Sequence, residues 1–312
     1  MMKLNKILLL VIIGFIALGG CSNSEPDYSK FYQEPGSTQE KPDEPDSPGL
    51  ADSKIKIMSF NIRYYNSDDT EDKAWNVRKA AFVPMVEEQK PTIIGTQEIR
   101  KTQFNWLKNN WTDYAYIDGN STKIVETSGA PHNVNEVFYL KSILEIVNKG
   151  FFCLSDTPDK VGVGWSGSPR VAEWVIFRIK ATGKKIFFLN THLSLKTDGD
   201  YDCRSKEIAL IKQKVEEFNT DNLPVAITGD MNAKLEDGLF ETWLTFLSDS
   251  RKNAVVSDDI ASYTGFGKSA QYPDHIFVSG FNIECFSTIN KVYNGVTYIS
   301  DHYPIMATLS FE

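Results

Sequence analysis

The sequence predicts an α+β domain in which two mostly antiparallel sheets pack face to face and helices flank them. Three observations lead there. Short apolar, β-branched runs recur through residues 54–312 and are the length of strands rather than helices. Amphipathic helical stretches fall between them without the strict alternation of a wholly parallel sheet. At 259 residues the segment is long, yet it suits one domain if sheet packs on sheet.

Two segments of another character precede it. Lys3 and Lys6 stand before an apolar run over 7–18, and Gly19-Gly20-Cys21 follows. The run is too short to span a bilayer comfortably, so residues 1–20 read as an export signal. Small residues before a cysteine resemble a bacterial lipoprotein signal. That resemblance makes Cys21 the lipidated first residue of the mature chain, held to a membrane by acyl chains. An ordinary signal peptide with a coincidental cysteine is the plainer alternative. Glu25 and Asp27, soon after Cys21, also resemble surface-export signals, which places the protein at the cell envelope, on the outer membrane or cell surface. Residues 21–53 read as a disordered linker. Pro26, Pro35, Pro42, Pro45 and Pro48 interrupt it, and it lacks the apolar content for a core. The whole chain carries −8, but residues 22–53 alone carry −6 and residues 54–312 only −4. The acidity therefore belongs mostly to the linker and says little about what the domain binds.

Within the domain, residues 54–63 read as a strand and 74–89 as an amphipathic helix ending before Pro91. Residues 92–96 form a strand and 102–109 a second helix. Runs at 136–140, 143–147, 171–179 and 185–189 have the character of antiparallel strands. A helix over 201–218 carries Ile208, Ile211 and Val215 on one face. A strand at 225–228, a short helix at 239–247 and strands at 276–278, 281–288 and 305–311 complete the chain. Cys153, Cys203 and Cys285 are irregularly spaced and indicate neither a disulfide framework nor a zinc site. Cys153 and Cys285 lie in apolar runs, and Cys203, between Asp202 and Arg204, is expected at the surface.

Short polar motifs stand at the ends of several strands: Ser59-Phe60-Asn61-Ile62-Arg63, Gln97-Glu98, Asn190-Thr191-His192, Gly229-Asp230-Met231-Asn232, Pro273-Asp274-His275 and Ser300-Asp301-His302. Buried strands ending this way deliver carboxylates, amides and imidazoles to one rim of a sheet. Such a rim suits a hard divalent cation and a phosphate. Three of the four histidines in the chain sit inside these motifs.

In their order, the six motifs resemble the endonuclease/exonuclease/phosphatase superfamily, which includes DNase I, abasic-site endonucleases, sphingomyelinases and inositol polyphosphate 5-phosphatases. The resemblance covers nearly all of 54–312. It implies a four-layer αββα sandwich with the site at one rim, and a phosphoesterase that uses Mg²⁺ or Mn²⁺. Glu98 then matches a metal-binding glutamate, Asn61 an amide of the metal shell, and Asp301 an acid near the metal or a cap for its own loop. Asp230 matches the residue that orients and deprotonates the attacking water, with Asn232 as its partner amide. Asp274 and His302 match an Asp–His pair, and His192 faces the phosphate from the other side. His275 should point away by strand alternation and serve the structure. His132 is assigned solvent exposure only.

Arg63, Arg100 and Arg170 suit phosphate oxygens and give F-N-I-R and Q-E-x-R patterns closer to DNase I than to the abasic-site enzymes. Gln271-Tyr272-Pro273-Asp274 departs from the 5-phosphatase pattern. No long basic or aromatic insertion suits a DNA groove, so nucleic acid is a possible but disfavoured partner. Residues 152–158 with Gly164-Trp165 resemble secreted bacterial members, where Trp75, Arg78 and Trp165 either shape a substrate pocket or pack. The rival readings are a secreted DNase I-like nuclease and a non-catalytic module that holds a surface glycan or phospholipid headgroup.

Overall fold

The computed structural model describes residues 54–117, 135–160, 162–166, 168–197 and 202–312. The expected export signal, the linker with Cys21, and His132 lie outside the described residues.

In chain order the strands are β1 (Lys54–Asn61), β2 (Ile93–Gln97), β3 (Tyr114–Tyr116), β4 (Glu136–Leu140), β5 (Leu144–Cys153), β6 (Val171–Ile179) and β7 (Lys185–His192). They continue with β8 (Val225–Asp230), β9 (Ser248–Asp249), β10 (Val256–Ser257), β11 (Asp274–Ser279), β12 (Phe281–Thr288) and β13 (Ile305–Phe311). Among the described residues the α-helices are α1 (Trp75–Arg78), α2 (Phe82–Gln89), α3 (Lys101–Asn110), α4 (Arg204–Phe218) and α5 (Ser250–Asn253). One sheet runs β10-β12-β13-β1-β2-β4-β3 and the other β5-β6-β7-β8-β11-β9. Most neighbours are antiparallel; β1–β2 and β7–β8 in the middle of each sheet, joined by helical crossovers, and the edge pair β10–β12 are parallel.

Strand alternation builds the layers. Ile55 and Ile57 of β1 pack inward with Ile93, Phe188, Ala226 and Ile276, filling the space between the sheets. The intervening Met58 and Phe60 pack outward with Phe82, Met85 and Leu107 of α2 and α3. Phe187, Leu189 and Ile227 pack outward with Ile208, Ile211 and Val215 of α4. The result is the expected helix–sheet–sheet–helix sandwich.

The same parity places the polar motifs. Ser59 and Asn61 continue the inner face of β1, Asn190 and His192 that of β7, and Thr228 and Asp230 that of β8. The inner face thus turns from apolar to polar at one rim. Below the rim a buried polar layer ties the sheets together. Gln97 Nε2 donates to Asn190 Oδ1 (2.8 Å) and Ser59 Oγ (3.2 Å), and Thr228 Oγ1 donates to Asn190 Oδ1 (3.0 Å). Asn190 Nδ2 donates in turn to the Thr96 carbonyl at 2.9 Å. Gly95 is required here, because a Cβ would overlap both Thr228 Oγ1 and Asn190 Oδ1.

Several expectations change. The helix expected over 74–89 is broken into α1, a 3₁₀ turn at Lys79–Ala81 and α2. Pro84 lacks an N–H and crowds the carbonyl four residues back, which is Ala80 in that turn. Residues 239–247 form turns rather than a regular helix, though Leu244 and Leu247 each donate to the carbonyl four residues earlier, as in an α-helix. The short strands β3, β9 and β10 carry too few residues to show a period. Cys203 is buried, packed beside Glu207 at the start of α4, not at the surface.

Gly95→Ala should lower stability by about 1–3 kcal/mol, the usual range for forcing a methyl into a packed core. A lower urea midpoint with an unchanged slope would register it, and a midpoint equal to wild type would contradict the inter-sheet layer.

Candidate active site

Register gathers the first three groups. In β7–β8 pairing His192 stands opposite Asp230, and in β8–β11 pairing Asp274 stands opposite Asp230. His192, Asp230 and Asp274 therefore share one rung across three strands, all buried at the inner rim. His302 comes from the other sheet, just before β13, on a loop that Ser300 fixes by donating to the Asn61 carbonyl at 2.8 Å.

The His302 ring lies between two carboxylates. Its Nδ1 is 2.8 Å from Asp274 Oδ2 and its Nε2 3.6 Å from Asp230 Oδ2. Burial works against a charged ring, but Asp274 and Asp230 outweigh it and push His302 up to about 10. Burial pushes the Asp230 carboxyl up to about 6, against the pull of His302. His192 behaves oppositely: burial, then Arg170 and His302, hold its ring well below the usual imidazole range, so it is neutral. One cationic and one neutral imidazole thus flank a single carboxylate, with His192 Nε2 3.5 Å from Asp230 Oδ2. Asp230, Asp274 and His302 offer ligand atoms within 4.8 Å of one another, a possible metal-holding group. The His302 Nδ1 contact to Asp274 already occupies that nitrogen.

Asn232 links the two sides. Its backbone N–H donates to Asp230 Oδ1 (3.0 Å), and its Nδ2 donates to the Leu193 carbonyl (2.9 Å) and lies 3.0 Å from His192 Nε2. Its φ of +47° is left-handed, a region asparagine tolerates better than most residues.

Across the rim, Asn61 Nδ2 donates to Asp230 Oδ2 (2.9 Å) and Glu98 Oε1 (3.2 Å), while its Oδ1 accepts from the Arg63 N–H (3.0 Å). Asn61 thus orients two carboxylates, and its Oδ1 keeps a second lone pair beyond the bond from Arg63. Glu98 and Asp301 stand at the same rim of the cleft. Burial, then Asp301, push the Glu98 carboxyl up, against His302 and the Asn61 amide. Glu98, pushed up by burial and by the neighbouring Asp301 charge, fits a hard divalent cation, which relieves that repulsion with oxygen donors.

The cleft has a volume of about 700 Å³, and Glu98, Arg170, His192, Asp230, Asp301 and His302 are among its lining residues. Arg63 also lines it, but its guanidinium is engaged by Asp69 through two bonds of 3.1 Å and lies 3.7 Å from Asp301. Arg100 stands outside the lining, packed on the Tyr64 ring at the start of α3. Trp75 is core, T-stacked on Phe82, and Arg78 is fully buried. Arg78 donates to the carbonyls of Lys73 (2.7 Å), Ile62 (2.9 Å), Ile299 (2.9 Å) and Arg63 (3.2 Å), so it supports the loops under the site rather than shaping a pocket. Trp165 is half-buried against the α4 layer. His275 faces the outer side of its sheet, as alternation implied. Sequence reasoning missed Tyr263, which lines the cleft with its ring 4.8 Å from that of His302. No motif surrounds it, and nothing in the sequence marks it.

A model of the Endonuclease/Exonuclease/phosphatase family matches residues 58–302. Among curated proteins, none matches the chain. Among solved structures, an endonuclease/exonuclease/phosphatase family protein of Bacteroides thetaiotaomicron is 27% identical with a TM-score of 0.73, covering 83% of this chain and 98% of its own. A mannosyl-6-phosphatase of the same organism is 28% identical with a TM-score of 0.73, covering 82% of this chain and 100% of its own. D. rerio TDP2 complexed with a single-strand DNA product is 18% identical with a TM-score of 0.65, over 83% of this chain and 99% of its own, a likeness of fold alone.

Asp274→Asn removes the carboxylate that most raises His302. The His302 pKa should fall, so the alkaline limb of the pH–rate profile should move to lower pH and kcat should drop by about 10²-fold or more. A profile whose alkaline limb stays in place would show that His302 does not govern it.

Proposed function

The chain belongs to the endonuclease/exonuclease/phosphatase family, and on that premise we propose that it hydrolyses a phosphate monoester of a sugar, with a divalent cation, at the bacterial cell envelope. The observation that carries the reading is the placement of Asp230. It lies buried at the floor of a cleft between a cationic His302 and a neutral His192, with Glu98 and Asp301 across the rim.

In this reading a water attacks phosphorus as the bond from phosphorus to the sugar oxygen breaks. Asp230, raised to about 6, is ionised at neutral pH yet basic enough to take the proton of the water. Asn61 and the Asn232 N–H hold its two oxygens so that the base keeps one orientation. His302, charged between Asp274 and Asp230, donates toward the negative charge that builds on the phosphoryl oxygens. Arg170 on the cleft wall adds a fixed positive charge. Glu98 and Asp301 would hold Mg²⁺ or Mn²⁺, which when bound supplies Lewis-acid neutralisation of the phosphoryl group.

The sugar monoester is supported by the 28% identity to a mannosyl-6-phosphatase over its full length. A slight net charge of −4 for residues 54–312 gives little attraction to a polyanion, which argues against a nuclease. Envelope anchoring rests on the lipoprotein-like signal ending at Cys21.

Purified protein with Mg²⁺ or Mn²⁺ should release inorganic phosphate from a panel of hexose phosphates. Exhaustive EDTA should abolish the activity, and Glu98→Ala should lower kcat by about 10²-fold or more. Phosphate release that survives both would remove the metal role. Plasmid nicking at low salt without sugar-phosphate turnover would replace this substrate with nucleic acid.

A further inference from the structure

The turn after β8 is held from behind by two buried cations that the reaction does not use. It bears Asn232 in a left-handed conformation. The Asn232 carbonyl accepts a hydrogen bond from Arg204 Nη1. The next carbonyl along, that of Ala233, is 3.0 Å from His275 Nε2. Arg204 comes from the first residue of α4 and His275 from β11, so two separate elements converge on two successive peptide units.

Each cation has its own aspartate. Arg204 Nη2 and Nε donate to Asp202 at 2.7 and 2.9 Å. His275 Nδ1 is 2.9 Å from Asp249 Oδ2, and Asp249 is itself fixed as the N-cap of α5 by accepting from the Lys252 N–H at 3.0 Å. Both nitrogens of His275 therefore face oxygen acceptors, and only the imidazolium satisfies both with N–H donors. The surrounding charges agree, since Asp249 and the Ala233 carbonyl raise His275 against its burial. Arg204, Asp249 and His275 are buried, and none of them lines the cleft.

We propose that Arg204 and His275 are positioning residues, each clamping one of two successive carbonyls so that Asn232 is held between Asp230 and His192. Charge-assisted bonds to backbone carbonyls are the stronger kind and pin peptide orientation. Asn232 needs such pinning, because one residue serves two partners: its backbone N–H holds the Asp230 carboxylate and its side chain meets the His192 ring. A small rotation of the turn would release both at once. Read this way, His275 and Asp274 are one device on one strand, with Asp274 acting on the cleft side and its neighbour fixing the next strand's turn from the rear. The kinetic part of the inference rests on the phosphatase reading; the structural part does not.

A double-mutant cycle tests it, with p-nitrophenyl phosphate and Mg²⁺ as the probe. His275→Leu should lower kcat about 10- to 100-fold with KM within about threefold, because the groups that meet substrate remain. In an Asn232→Ala background the same change should cost less than in wild type, since the side-chain contact to His192 is gone while the backbone N–H to Asp230 remains. His275→Gln, whose amide keeps an N–H donor for Ala233, should recover most of the loss. Equal fold-losses in both backgrounds would overturn the proposal and leave His275 as ordinary packing. Arg204→Gln in the same cycle serves if His275→Leu does not fold. Amide exchange of the 229–235 peptide, read by mass spectrometry, needs no activity. It should speed up in His275→Leu and Arg204→Gln and return toward wild type in His275→Gln. Unchanged exchange would sink the clamp even in an active enzyme, whereas faster exchange in a protein inactive on every phosphate ester would sink the phosphatase reading and keep the clamp.

Discussion

The Asn61 amide reaches across the gap between the sheets to Asp230, and one layer below it Gln97 reaches across to Asn190. These are buried polar groups, and each is satisfied only when both sheets stand in one register. Leaving such a group unpaired costs about 1–3 kcal/mol, so a slipped sheet would lose several bonds together. A one-residue slip of β8 would also turn Asp230 and Thr228 to the outer face and bring Ile227 inward. The layer that fixes the register is therefore the layer that builds the site, and the apolar core beneath supplies cohesion without by itself choosing the alignment.

Within that frame the charges sort themselves by distance. His302 and His192 approach the same Asp230 oxygen at 3.6 and 3.5 Å. Only His302 has a second carboxylate, Asp274, at 2.8 Å, and only His192 feels Arg170 as a main opposing charge. The extra carboxylate beside one ring, and burial with Arg170 beside the other, split two identical side chains into a cation and a neutral ring. Asp230 is raised by burial but kept from rising further by the ring it helps to charge. Acid and base thus condition each other, and separated protonation preferences in one small volume are what proton-transfer chemistry requires.

Much of this was legible in the sequence, for a physical reason. A strand of period two fixes which residues share a face, so Ile57 and Asn61, or Ala226 and Asp230, could be placed together without coordinates. The end of each apolar run then marked the rim. What stayed hidden acts through the backbone or at a distance along the chain. Arg78 donates to carbonyls, whose owners carry no chemical signature. Tyr263 reaches His302 from a loop without periodicity. Arg100 sits two residues beyond Glu98 and looked like a phosphate ligand, yet α3 begins there and carries its guanidinium onto Tyr64. The break before α2 lies next to Pro84, inside a stretch whose helical period continues on both sides of it.

The backbone at the rim that bears Glu98 carries strain that these hidden residues sustain. Arg63 (φ +56°) and Glu98 (φ +61°) both adopt the left-handed region, unusual for long side chains and costly by about 1–3 kcal/mol each. The Arg63 carbonyl accepts from Gln103 Nε2 (2.9 Å) and Arg78 Nη2 (3.2 Å), and the Tyr65 N–H donates to Gln103 Oε1 (2.8 Å). The Tyr64 N–H donates to Glu98 Oε2 at 3.2 Å, which ties Glu98 to the peptide that follows Arg63. Gln103 and Arg78 are wholly buried; Gln103 also accepts from the Arg100 N–H that starts α3, and Arg78 also donates to the carbonyls of Lys73, Ile62 and Ile299. Their bonds offset the strain, and the strained turns aim Glu98 into the cleft beside Asp301 instead of along its strand. On the opposite sheet Asn232 repeats the pattern, a left-handed residue whose turn is held by buried cations. Both walls of the cleft thus place their carboxylate or amide by bending the chain just past a strand end and bracing the bend from within.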